Sequence, residues 1–396
     1  MKRRDFLKRA AIGAGVVASG VLPGKGRADT SDAPGSLKGK DFHKVDAFSH
    51  FAPVSYLDYL RSLGGPPSSL QGYSKAMPEF SDVQGLQPRL KMMEDQGIDV
   101  CIIFPQPDLE GGLGPVYRTG DKASSAAVFI NDSMSKMCAN SPKFNFAALL
   151  PLVNKEDMTA EFNRAIKLPG VVGVGVNTGP FARAPEDPVL MALYELAAPK
   201  KVPIWVHLNR SATSPDYFTD PPQPTPPFPP NTRISPIYSW LNFGYLADGS
   251  THMMRIVVAG VFKKYPGIRF VIHQRGHLIP LYKDRIKFHF RTFQGLNPPP
   301  VGMPPNFDID DTMEQLKQFY VDAICMGDDT DLLMRSVNFF GADHVMYATD
   351  TPYSPSPGRH TAEMTTNSIL KLQVSKADKE KIFAGNIQRL MSEIVR

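Results

Sequence analysis

Val100-Cys101-Ile102-Ile103-Phe104 is apolar at every position. A strand with one solvated face alternates polar and apolar side chains, whereas an unbroken apolar run suits a strand covered on both faces, as in a parallel sheet beneath helices. Outward from this stretch, strand-like runs recur at Lys44–Ser49, Phe144–Leu150, Val171–Val176, Val202–His207, Ile268–His273, Phe319–Asp322 and His344–Thr349. Helical periodicity falls between and after them, at Leu86–Gln96, Ala123–Asn140, Lys155–Lys167, Pro188–Ala198, Ser250–Lys264, Leu278–Phe293, Thr330–Phe340 and Ser375–Ile394. Strand and helix alternate, and the strands number eight. That order predicts an α/β fold, a (β/α)8 TIM barrel. Such barrels use roughly 250 residues or more as one unit. The chain of 396 residues is therefore expected to hold a single barrel domain over 44–396.

Composition narrows the function classes. Hydrophobic residues at 42% and charged residues at 21% give enough apolar side chain for a large core under a solvated surface. The net charge of +5 is modest, and no basic stripe is interleaved with aromatics, which argues against nucleic-acid binding. The three cysteines, Cys101, Cys138 and Cys325, form no CxxC pair. Cys101 and Cys325 lie in apolar runs and read as core residues, with one pairing left open for an oxidising compartment. Two proline-rich stretches, Ser214–Pro236 and Asn297–Pro305, carry no regular period. The first leaves the end of the fifth strand, so its Tyr217 and Phe228 are either walls of a substrate pocket or part of a stiff surface excursion.

Four of the strand runs stop at a polar side chain suited to catalysis or metal binding: His50, His207, His273 and Asp350. In a barrel, the C-terminal ends of all strands share one rim, so groups distant in sequence meet there. Imidazole nitrogens and a carboxylate oxygen are zinc-type donors, and three suffice for a catalytic ion. Asp350 closes Val345-Met346-Tyr347-Ala348-Thr349 before Thr351-Pro352, where it suits either catalysis or a turn. His207 ends Pro203-Ile204-Trp205-Val206, and period-two alternation points Trp205 to the same face. In Ile272-His273-Gln274-Arg275-Gly276-His277, His273 suits a ligand or general base, and Arg275 suits bidentate capture of a substrate carboxylate. His277 is expected in the first turn of the next helix, where the dipole favours its neutral form. Phe48 lies two residues before His50 on the same strand face, where a second donor would be expected.

The N-terminus is a separate signal. Arg3-Arg4-Asp5-Phe6-Leu7-Lys8 precedes the apolar stretch Ala10–Leu22 and small residues near Gly26-Arg27-Ala28. It resembles a twin-arginine export signal. The apolar run falls short of the roughly 20 residues a membrane span needs. The expectation is a signal peptide over 1–28, a flexible lead over 29–43, passage through the twin-arginine export machinery, a periplasmic location and no stable membrane span.

From about Lys44 to Arg389 the chain resembles the amidohydrolase-related family, the branch of the amidohydrolase superfamily with the aminocarboxymuconate semialdehyde and γ-resorcylate-type decarboxylases. The resemblance lies in Val45-Asp46-Ala47-Phe48-Ser49-His50, in Met93-Glu94-Asp95-Gln96-Gly97-Ile98-Asp99, and in the Pro151 to Val176 segment. Ala259-Gly260-Val261-Phe262 with Tyr265-Pro266, and Thr349-Asp350 before Pro352, extend it. It implies a divalent metal, zinc foremost, on His50, His207 and Asp350, with catalysis by His273, Asp350 and His277. Arg210, Arg275, Trp205 and Phe48 become candidates for binding a small carboxylated aromatic or unsaturated substrate. The metal motif is altered, because Phe48 stands where the family usually has a ligand. The strand-six motif is altered too: counting back from Pro280 puts Gln274 at the family's histidine, while counting along the strand puts His273 there. The implied function is an exported decarboxylase or hydrolase, with a homodimer expected by analogy; the alternative is a metal-free, degenerate barrel serving as a periplasmic binding or accessory protein.

Overall fold

The computed structural model describes residues 39–51, 53–65, 86–106, 120–178, 183–208, 240–296, 307–354, 356 and 358–396. The expected signal peptide, most of the lead, Arg210, Tyr217, Phe228 and both proline-rich stretches fall wholly or largely outside these residues. Eight strands run in order, β1 (Val45–Phe51), β2 (Val100–Pro105), β3 (Phe144–Leu149), β4 (Val171–Asn177), β5 (Ile204–His207), β6 (Phe270–Ile272), β7 (Tyr320–Asp322) and β8 (Val345–Met346). Each pairs in parallel with the next. Regular pairing of β8 stops at Met346, four residues before Asp350. The chain beyond it closes the ring on β1 through Ala47 N–H to Tyr347 O at 2.9 Å, Asp350 N–H to Phe48 O at 3.0 Å and His50 N–H to Thr351 O at 2.6 Å. The expected eight-stranded barrel is the observed one.

The helices are α1 (Val54–Ser62), α2 (Leu86–Gln96), α3 (Asp121–Asn140), α4 (Lys155–Ala165), α5 (Pro188–Ala197), α6 (Tyr245–Val258), α7 (Val261–Lys264), α8 (Ile279–Phe293), α9 (Ile309–Leu316), α10 (Thr330–Phe340), α11 (Arg359–Lys371), α12 (Lys376–Glu380) and α13 (Asn386–Ser392). Their starts follow local chemistry. Asn154 caps α4 by accepting from Asp157 N–H, and Asp187 caps α5 ahead of Pro188. The single helix expected over Ser250–Lys264 is broken at Gly260, which is left-handed at φ 71°. The one expected over Ser375–Ile394 is interrupted by a π turn at Lys381–Gly385. Of the helices that periodicity missed, α11 is the clearest case, because its buried face is built from Thr361, Thr365, Thr366 and Ser368. Thr365 Oγ1 accepts the Cys325 N–H at 2.9 Å and Thr361 Oγ1 donates to Gly358 O at 3.3 Å.

The barrel interior is filled, and β4 shows how. A Cβ at Gly173 would lie 2.2 Å from the Trp205 ring, and one at Gly175 would lie 2.6 Å from the Phe104 ring. These two glycines leave the space into which large rings from β5 and β2 project, so the interior is a packed core with a floor beneath the rim. All three cysteines are buried and unpaired, which removes the pairing that the sequence left open.

Candidate active site

The rim gathers His50, His207, His273 and Asp350, as the strand ends foretold. His50 from β1 is fully buried, and its Nδ1 lies 3.1 Å from the Phe104 carbonyl. A carbonyl only accepts, so Nδ1 carries a proton and the other nitrogen is fixed toward the rim. That Nε2 lies 3.1 Å from Asp350 Oδ1. A neutral His50 and an ionised Asp350 would present two lone pairs to each other, so the contact is favourable only with a proton or a cation between them.

His273 is held from both ends. Its Nδ1 is 2.5 Å from Asp322 Oδ2, and its Nε2 is 3.7 Å from Asp350 Oδ1. Burial opposes a charge on this imidazole, yet the two carboxylates overcome that penalty and hold its pKa up at about 10. Burial would likewise raise Asp350, but His273 and His50 hold it well below the usual carboxylate range. At neutral pH the site therefore contains a protonated His273 flanked by carboxylates, a proton donor aimed at the rim.

The backbone here is forced. Gln274, Arg275, Gly276 and His277 are all left-handed, at φ 61°, 57°, 73° and 58°, and Asp350 joins them at φ 55°. Side-chain-bearing residues in that region cost roughly 1–2 kcal/mol each. The turn returns hydrogen bonds for that cost: Gln274 N–H donates to Asp322 Oδ1 at 2.9 Å, and Arg275 N–H donates to Asp322 O at 3.0 Å. It also settles the strand-six register. His273, not Gln274, is the rim histidine, and the left-handed turn lies between it and Pro280.

Beneath the rim, Asp46 ties β1 to the segment after β8. It accepts from Thr349 N–H at 3.0 Å, Thr349 Oγ1 at 2.6 Å and Phe48 N–H at 3.2 Å. Burial nonetheless leaves its pKa raised to about 6. Arg89, fully buried on α2, donates to the His50 carbonyl. This network fixes the backbone on either side of His50 and Asp350.

Two expected substrate contacts are placed elsewhere, and a third is enclosed at the rim itself. Trp205 is fully buried and its Nε1–H donates to Ala47 O across the barrel at 3.0 Å, so it is floor rather than pocket wall. Arg275 directs its guanidinium to the Ile324 carbonyl and to Asp329 Oδ2, the latter at 3.2 Å. Its charge is thus spent on the loop after β7. Phe48 is fully buried among the rings of the rim. His277 also departs from expectation: it precedes α8 instead of opening it, and a Cβ at Gly249 of α6 would lie 2.2 Å from its Nε2. Both its ring nitrogens lack a hydrogen-bond partner among the described residues. Burial first, then the neighbouring His273 charge, depresses its pKa to about 3, which keeps the ring neutral.

Three contributors went unremarked in the sequence. Asp322 ends β7 just as Asp350 follows β8, so the strand-end rule applied to the other strands would have found it. Gln106, directly after β2, donates from Nε2 to His207 Nε2 at 2.9 Å, and Tyr353 OH reaches Gln106 Oε1 at 3.4 Å. A glutamine after Pro105 carries no catalytic signature, and Tyr353 is legible only as the residue following the turn proline.

The expected metal set does not assemble. Among the described residues, no group of three or more His, Cys, Asp or Glu side chains is arranged to hold an ion. The Gln106 amide occupies the His207 lone pair that would bind one. The Phe48 ring stacks 4.1 Å from His273 at 14° and 6.0 Å from His207 at 10°, and meets His50 edge-on at 5.1 Å. A phenyl group has no lone pair to donate. The residues present do not fit a divalent ion held by His50, His207 and Asp350.

The amidohydrolase family profile matches residues 46–391. The chain belongs to the amidohydrolase family. This amidohydrolase is 26% identical over 351 residues to a γ-resorcylate decarboxylase of Polaromonas sp., covering 88% of this chain and 98% of the relative. A solved 2,6-dihydroxybenzoate decarboxylase complexed with 2,6-dihydroxybenzoate superimposes with TM-score 0.66 at 21% identity, covering 89% of this chain and 99% of that one. A dihydroxybenzoic acid decarboxylase from Polaromonas sp., solved with manganese and 2-nitroresorcinol, gives TM-score 0.66 at 20% identity, covering 89% and 97%. The family resemblance read from Val45–His50 and Thr349-Asp350 is borne out, and with it the expectation of an amidohydrolase-family enzyme. Zinc has no counterpart in these findings; the metal named in the Polaromonas structure is manganese.

Proposed function

We propose that this amidohydrolase is a decarboxylase of a small carboxylated aromatic compound, with His273 as the proton donor. The observation that carries the reading is the His273–Asp322 contact of 2.5 Å, which fixes Nδ1 toward Asp322 and leaves Nε2–H directed at the rim. In the reaction, Nε2–H passes its proton to the ring carbon that bears the carboxylate, and a C–H bond forms. The bond from that carbon to the carboxylate then breaks, its electron pair restores the aromatic ring, and carbon dioxide leaves. Water returns the proton to His273. Asp350, shared between His50 and His273, keeps both imidazoles oriented through the cycle. Arg210, three residues beyond His207 in sequence, is the candidate for holding the substrate carboxylate, a role Arg275 cannot fill while engaged with Asp329. The decarboxylases among the relatives support the choice of reaction and of a hydroxylated benzoate as substrate class.

The test is a panel of hydroxybenzoates, including 2,6-dihydroxybenzoate and 5-carboxyvanillate, incubated with purified protein in heavy-oxygen water. Decarboxylation releases carbon dioxide and leaves the aromatic product without the label, whereas hydrolysis of an ester, lactone or amide places the label in product. Label in the organic product, or no carbon dioxide from any member of the panel, would contradict the reading. Export through the Arg3-Arg4 motif to the periplasm, and pairing of two copies, belong to the same proposal. Fractionation of cells expressing the full chain and an Arg3→Lys/Arg4→Lys variant tests the first, and light scattering of the purified protein tests the second. Among the described residues no helix is long and apolar enough to cross a membrane.

A further inference from the structure

We propose that this barrel works without a divalent metal ion, because Phe48 and Gln106 have taken over the place and the donor such an ion requires. The inference deepens the decarboxylase reading and rests on its assignment of this rim as the reacting centre. Phe48, His207 and His273 lie nearly parallel, with Phe104 stacked on Phe48 at 5.7 Å and on His207 at 5.2 Å. The phenyl group is thus enclosed by the imidazoles that would otherwise converge on an ion. The ring is completely buried and meets His50 edge-on at 5.1 Å, so that side of His50 faces a group with no lone pair to give an ion. Seating one would require expelling a packed aromatic ring and breaking the Gln106–His207 hydrogen bond. Asp322 needs no cation, since it has His273 Nδ1 at 2.5 Å together with the Gln274 and Ile324 backbone N–H groups, and Asp350 has the His273 imidazole 3.7 Å away. Ring stacking fills one side of the rim, and imidazole–carboxylate contacts balance the other.

The experiment is elemental analysis of the full chain produced in medium supplemented with manganese and zinc, paired with thermal melts in chelator, in manganese and in zinc. The expected result is far less than one equivalent of either metal and a melting midpoint unmoved by any addition. About one equivalent of metal, with a midpoint that falls when the chelator strips it, would overturn the inference. Phe48→His restores a donor at the enclosed position and is expected to acquire stoichiometric manganese or zinc with a raised midpoint. A folded Phe48→His chain that binds neither would overturn the role assigned to Phe48. Should that variant not fold, Phe48→Leu, which keeps an apolar group there, is expected to stay metal-free and chelator-insensitive; metal uptake by it would count against the proposal. A metal-loaded wild type would leave carbon dioxide release unaffected as a finding, and an inactive panel would leave the metal content unaffected, so the two readings fail separately.

Discussion

The β6–β8 arc of the rim and the arc made by β1, β2 and β5 differ in what occupies the space between strand ends. On the β6–β8 side, an imidazole lies between two carboxylates, 2.5 Å from Asp322 and 3.7 Å from Asp350, supported by a left-handed turn whose N–H groups hold Asp322. On the other side, Phe48, Phe104 and His207 stack and a glutamine takes the histidine's lone pair. One arc is organised around a proton and the other around apolar contact. Strain is concentrated on the first, where four successive residues adopt φ values between 57° and 73°. The difference teaches that each half of one constellation has its own brace, β7 and the turn before α8 for His273 and β2 for His50 and His207, while Asp350 and the Phe48–His273 stack join the two.

Removing the proton donor should produce the largest effect. His273→Asn keeps the volume but not the acid, and decarboxylation should fall by about 10²–10⁴-fold, the usual share of general acid catalysis. A variant as active as wild type would break the division between the arcs. On the opposite arc, Phe48→Ala should cost about 3–5 kcal/mol in denaturant unfolding, as for other buried Phe truncations. A loss well under 1 kcal/mol would mean that the stack is not the brace described. Asp322→Asn should lower activity less than the loss of His273, because Asp322 acts through the imidazole. Its signature is in the pH profile: without that carboxylate, His273 loses its proton at lower pH, so the alkaline limb should move down from about 10.

A stability measurement sharpens the same point. His273 titrates at about 10 in the folded protein against 6.5 for the free side chain, so it binds a proton more tightly when folded. Its contribution is complete below the unfolded value and is lost as pH rises toward 10. Wild-type melting midpoints should therefore approach those of His273→Asn as pH climbs through that window. The smallest expected change lies in the floor shared by both arcs: Gly173→Ala drives a methyl into Trp205, and overpacking of this kind costs about 1–3 kcal/mol.

Much of the barrel was legible because its signal is local and repeated. Val100–Phe104 is apolar on both faces, and strands of that kind recur with helical intervals, which leaves few alternatives to eight parallel staves. Helices failed where burial is achieved by hydroxyl groups, as in α11, or where a π turn breaks the period, as before α13. The site was partly legible for the same reason: a lone imidazole or carboxylate closing an apolar run stands out. Asp322 obeyed that rule and was passed over. Gln106 was hidden by its residue type, and the diversion of Trp205, Arg275 and His277 depends on partners that the sequence does not announce: Ala47 across the barrel, Asp329 beyond β7 and Gly249 on α6.

The most direct test follows carboxyl-labelled 2,6-dihydroxybenzoate, and the wider hydroxybenzoate panel where needed, in parallel reactions of wild type and His273→Asn. The account predicts labelled carbon dioxide from wild type and a loss of at least about a hundredfold in the variant. Equal release from both proteins would contradict it.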